Sequence, residues 1–262
     1  MTHHLTFIKL SSKPLRLELL IYFTYVFTFY FTPLTHAGAE ESTPEQTQYK
    51  LSTGLYSIKD PSGASQLGFD TNLRASSKMG NTWIGFYQSE DKELRQTRVG
   101  WDNSYTFDSL RVSPSLQSAS GGFFGGSLGF ETGERFFVGA GIGRTNLQNY
   151  VNLNFDPNDS WSFSSGYRWS AQEFLALQIV HDNRMNPDQQ HVHLSYRTLL
   201  PENSRMLLDL LYKSGTVDTQ FIKGYGLLLG MDWGDYGLRF AYDPKVNFTT
   251  SDMRRFIFSY RF

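Results

Sequence analysis

From Tyr49 to Phe262 the sequence keeps a single period, and that period is two. Tyr225, Leu227, Leu229, Met231 and Trp233 alternate with Gly224, Gly226, Leu228, Gly230 and Asp232. Further on, Tyr236, Leu238, Phe240 and Tyr242 alternate with Gly237, Arg239, Ala241 and Asp243. Residues two apart on a strand share a face, so each segment reads as a strand with one apolar face and one mixed, charged face. No stretch of useful length carries the helical period. An apolar sheet face needs a cover, and without amphipathic helices the chain has no second layer to supply it. The 16% aromatic content together with 23 glycines fits alternation rather than solid apolar blocks.

The connections alternate too. Tight ones are read at Asp102-Asn103, 131–134, 170–172 and Gly234-Asp235, and longer polar ones at 59–64, 89–93, 154–159, 182–189 and 243–252. Short turns on one side and longer loops on the other are the rhythm of a bacterial outer-membrane meander. Lipid then covers the apolar face, and only a closed barrel satisfies every backbone N–H and C=O inside a bilayer while leaving no open edge. The expected fold is all-β, a closed antiparallel up-and-down transmembrane β-barrel. Fourteen strands are read, at 48–58, 65–75, 80–89, 94–101, 104–113, 121–131, 135–146, 160–169, 173–181, 190–199, 204–213, 220–233, 236–243 and 253–262. The stretch 104–121 is the least marked, and twelve is the alternative count. No long segment stands out as one that folds inward. Trp83, Trp101, Trp169 and Trp233 fall beside the tight connections and Trp161 near the opposite rim, as an aromatic girdle requires.

At the start, Lys9, Lys13 and Arg16 precede an apolar run from Leu19 to Thr32, with small residues at Ala37 and Ala39. That run is short of the roughly 20 residues a spanning helix needs. Residues 1–39 read as a secretory signal peptide, 40–47 as a short periplasmic segment and 48–262 as the barrel. The absence of cysteine excludes disulfides, thiolate metal sites and a cysteine nucleophile. A net charge of −1 gives no basis for nucleic-acid binding.

The final stretch, residues 254–262, sets Phe256, Phe258, Tyr260 and the terminal Phe262 against Arg255, Ile257, Ser259 and Arg261. With these residues the chain resembles Gram-negative outer-membrane β-barrel proteins, whose last strand commonly ends on an aromatic with apolar residues at alternate positions before it. The resemblance covers the mature chain and is specific to the class. It implies integration into the outer membrane, contact with its lipid and lipopolysaccharide, and a terminal pattern read by the barrel-assembly machinery. It implies no activity.

Strand parity sends Arg98, Arg111, Arg168, Arg197, Arg239, Arg255 and Arg261 into the lumen, with His193, Asp209, Asp232 and Asp243; Arg74 and Asp70 join them. Buried charges must pair or stay wet, so the interior is either a wetted, mildly cationic wall or a plug of ion pairs. A porin-like passive channel for small hydrophilic solutes, anionic ones favoured, is the leading expectation. A structural or export-associated barrel with a plugged lumen is the second.

One local pattern suggests chemistry. His193-Leu194-Ser195 has the His-x-Ser spacing that outer-membrane phospholipases and lipid A deacylases carry on a strand. Here parity turns the pair inward, away from lipid, and Tyr196-Arg197 stands where the phospholipases have Asn-Gly. No catalytic residue is therefore assigned. His191 and His193 share a face, but two ligands are not a metal site, and no Asp or Glu is placed in the linear sequence to complete a set. Neither metal nor cofactor is expected.

Overall fold

The computed structural model describes residues 46–153, 156–217 and 219–262. The expected signal peptide, 1–39, and the start of the short segment after it lie outside the described residues. Fifteen strand segments follow in order: β1 Gln48–Lys59, β2 Ser65–Ser77, β3 Gly80–Ser89, β4 Arg95–Asp102, β5 Tyr105–Phe107, β6 Leu110–Ala119, β7 Phe123–Thr132, β8 Phe136–Thr145, β9 Ser160–Ser170, β10 Glu173–Asp182, β11 Gln190–Leu199, β12 Arg205–Val217, β13 Gln220–Trp233, β14 Tyr236–Asp243 and β15 Asp252–Arg261. Neighbours in sequence pair antiparallel, except that β4 pairs directly with β6 and β1 pairs with β15. Those two pairings close the sheet into a 14-strand barrel without an edge. The first and last strands meet in register, Leu55 opposite Phe256 and Lys50 opposite Arg261.

β5 is the far end of β4. Asp102 faces Ser115 and Tyr105 faces Val112 across β6, so the register runs straight through the gap. The gap lies opposite Pro114, which has no N–H to donate to the ladder. Asn103 still donates its backbone N–H to the Pro114 carbonyl at 3.2 Å, and the Ser104 and Ser113 hydroxyls meet at 2.8 Å. The turn expected at Asp102-Asn103 is therefore absent. It falls at Asp108, which adopts φ 51°, and the fifth wall strand is Leu110–Ala119 rather than 104–113. The count of fourteen stands because one turn moved and none was lost.

The two faces separate by chemistry. Leu55 (61% exposed), Phe163 (57%) and Tyr225 (73%) project from the outer surface, while the inner face carries Arg98, Gln178, His191 and Lys213. An apolar outside and a polar inside is the arrangement of a lipid-embedded barrel. Outward rings cluster at the short-turn end. Phe136 packs edge-on to Tyr167, Tyr167 to Trp169 and Trp169 to Tyr196. Tyr236, Tyr260 and Phe262 continue the belt, and Phe262 stacks on Tyr49 at 5.7 Å. Trp83 departs from the expected girdle: it lies on the inward parity of β3, opposite Arg74, with its indole in the space a side chain at Gly100 would fill. A glycine on the neighbouring strand lets the large ring lie flat against the wall.

Candidate functional site

Inside the barrel the short-turn half is lined with cations that share few carboxylates. Arg205, Arg239 and Arg261 all converge on Asp232, at 3.7, 3.6 and 3.2 Å. Lys50 stands beside them, opposite Arg261 and Arg74 in the strand register. Arg74 pairs with Asp102 at 3.1 Å, and Arg111 and Arg168 divide Glu131 between them at 3.2 and 3.0 Å. Arg168 also lies 3.9 Å over the Phe137 ring, which is seated where Gly166 lacks a side chain. Arg197 occupies the same face of β11. The Arg205, Arg239 and Arg261 side chains keep 26–28% of their surface exposed, so this charge is hydrated.

The long-loop half is built differently. Arg98 pairs with Asp70 and Lys213 with Asp243, the latter pair almost wholly buried. Breaking such a pair leaves an uncompensated buried charge and is strongly destabilising. The expectation that no segment folds inward is overturned here: after β8, residues 146–153 run across the lumen, and residues 156–159 lead into β9. The Tyr150 ring stacks on Phe123 at 4.2 Å. The Val151 N–H donates to Gln96 Oε1 at 2.7 Å, and Gln96 Nε2 donates back to the Val151 carbonyl at 3.0 Å. The Leu153 carbonyl accepts from Arg255 on β15. In the wall, β15 is seven strands from β8 in either direction, so the loop spans the full diameter.

Leu153 joins Tyr56, Tyr87, Val246 and Met253 in a small apolar cluster inside the barrel. The loop between β14 and β15 supplies Val246, and its Asn247 meets Asn152 at 2.5 Å. Two loops thus narrow the same mouth. Gly143 on β8 makes room for this, because a Cβ there would strike the Asn158 carbonyl. The inward glycine at 143 serves a close backbone approach.

Beyond Leu153 the loop delivers Asp156 to the histidines of β11. Asp156 Oδ1 lies 2.9 Å from His191 Nδ1 and 3.0 Å from His193 Nε2. Burial alone would push the Asp156 carboxyl up; His193 and then His191 more than offset that and hold it well below the usual carboxylate range. The other nitrogen of His193, Nδ1, lies 2.8 Å from Asp209 Oδ1, and Ser195 donates its hydroxyl to Asp209 Oδ2. Both ring nitrogens of His193 face carboxylates, and the serine proton goes to Asp209. That is not the geometry of a base activating a nucleophile. The fold also supplies the carboxylate that the linear sequence withholds from His191 and His193.

Strand parity is a readable signal for Lys50, Glu131, Arg205 and Lys213, which lie on inward faces outside the expected set. Asp156 gives no such signal, because it sits in a loop where parity does not apply.

No protein-family model and no curated protein sequence matches the chain. Among solved structures it is similar to the Acinetobacter baumannii outer membrane protein Omp33, at 8% identity and a TM-score of 0.54, covering 82% of this chain and 98% of that one. It also aligns with Salmonella typhi OmpF in a complex with daunomycin, at 9% identity and a TM-score of 0.47, covering 86% and 100%. Identity this low speaks to the fold alone, and that fold is an outer-membrane β-barrel.

Proposed function

We propose that this barrel is a narrow outer-membrane channel that passes small hydrophilic solutes and favours anions. The observation that carries the reading is the cluster of Arg205, Arg239, Arg261 and Lys50 around the single carboxylate of Asp232, at the hydrated end of the lumen. Excess wall charge sets the electrostatic barrier a solute meets. With the tight turns periplasmic, as the class places them, this cluster forms the inner vestibule, and the crossing loop narrows the outer mouth. Proteoliposomes holding the protein should swell faster in small organic anions than in cations of equal size. Equal rates would remove the anion preference, and no swelling in either would remove the channel.

A plugged barrel with a structural or export role is the second reading. The apolar cluster of Leu153 with Tyr56, Tyr87, Val246 and Met253 favours it. No hydrolytic step is assigned to His193 and Ser195. The outward Phe256, Phe258, Tyr260 and Phe262 serve, on this proposal, both as lipid contacts and as the pattern recognised during insertion. Deleting Phe262 should lower the amount of folded barrel in membranes, read by heat-dependent gel mobility. An unchanged amount would leave the ring a lipid contact only.

A further inference from the structure

The geometry points to a property of the lumen separate from conduction: Asp156, His191 and His193 form a binding site for a divalent transition-metal ion of the zinc class, which clamps the crossing loop to the barrel wall. Each residue offers one ligand atom, and the three atoms lie within 4.8 Å of one another in a buried setting. Zinc takes nitrogen and oxygen ligands at about 2.0–2.2 Å in a tetrahedron, which sets neighbouring ligand atoms about 3.4 Å apart. The observed separations of 2.9 and 3.0 Å need only a few tenths of an ångström of opening. Three protein ligands leave a fourth position for water.

Three further observations fit an ion better than a chance cluster. The Nδ1 of His193 is held at 2.8 Å by Asp209, itself held by Ser195, which is the carboxylate–histidine support that orients metal ligands. His191 is fixed by stacking on Phe248 at 5.2 Å, with its Nδ1 turned to Asp156 at 2.9 Å. Asp156 meets both imidazoles and Asp209 meets His193, and a divalent cation held by neutral rings cancels both negative charges. The nearby Lys213 is committed to Asp243. Two imidazoles with one carboxylate suit zinc, nickel or copper rather than calcium or magnesium, which prefer all-oxygen shells.

The test uses the full mature barrel in detergent micelles, stripped with chelator and titrated with Co²⁺ followed by visible absorption, then with Zn²⁺ as competitor. One saturable equivalent is expected. The His191→Ala/His193→Ala double variant should lose affinity by at least about 100-fold, and Asp209→Asn by roughly 10- to 100-fold. Asp156→Asn, which keeps the shape of the side chain, serves if the double variant fails to fold. In the wild type, Zn²⁺ should also slow proteolysis within 146–159 by at least about tenfold. Absence of saturable binding in the wild type, or binding unchanged in folded variants, overturns the site. Binding without protection of the loop overturns the clamp. None of these readings requires conduction, so failure here and failure of the channel proposal are separable.

Discussion

Replacing residues 147–157 by a short glycine turn should raise single-channel conductance by at least about twofold. The loop enters between β8 and β9 and reaches Arg255 on the opposite wall, so it divides the lumen wherever it lies. Its removal takes out Tyr150, Leu153 and Asp156, and burying one leucine is worth only about 1.5–3 kcal/mol. The barrel itself rests on a closed ladder that the loop does not enter, and folded protein should still be recovered. A milder variant checks the geometry. Gly143→Val places a side chain against the Asn158 carbonyl and should displace the same segment, with a smaller rise in conductance. Unchanged current in both variants would mean that the loop does not limit passage.

Reversing the vestibule charge should invert selectivity. Arg239→Glu with Arg261→Glu leaves Asp232 beside two new carboxylates, with Arg205 and Lys50 as the remaining cations of that cluster. Both positions are hydrated, so the substitutions bury little and pose a small risk to folding. The reversal potential across a salt gradient should change sign. Because side chains in hydrated lumens are screened, the effect should be largest at low ionic strength and shrink as salt approaches 1 M, where the Debye length falls to about 3 Å. A potential that stays put in this double variant at all salts would place the selectivity elsewhere in the barrel.

The period of two carried most of the fold. Parity alone set which side chains meet lipid and which meet the lumen, because a strand has only two faces and a bilayer tolerates charge on one of them. It failed where local chemistry outvoted the rhythm. Asp102-Asn103 has the composition of a turn, yet the chain runs straight past it because the disruption comes from Pro114 on the opposite strand. Trp83 sits beside a tight turn like the girdle tryptophans, but its parity is inward and Gly100 makes room for its ring. The candidate site was legible in part. Arg239, Arg261 and Asp232 follow from parity, whereas the approach of Asp156 to His191 and His193 depends on a loop crossing the lumen. No local pattern in residues 146–159 announces that path; it is set by Gln96 and Arg255, more than fifty residues away in sequence on either side.

The most direct measurement is the reversal potential of the wild-type protein in a planar bilayer held across a KCl gradient. A hydrated lumen with Arg205, Arg239, Arg261 and Lys50 gathered on Asp232 predicts stepwise currents whose reversal potential has the sign of chloride preference. Silence at every voltage, or a potential of the potassium sign, would contradict the account.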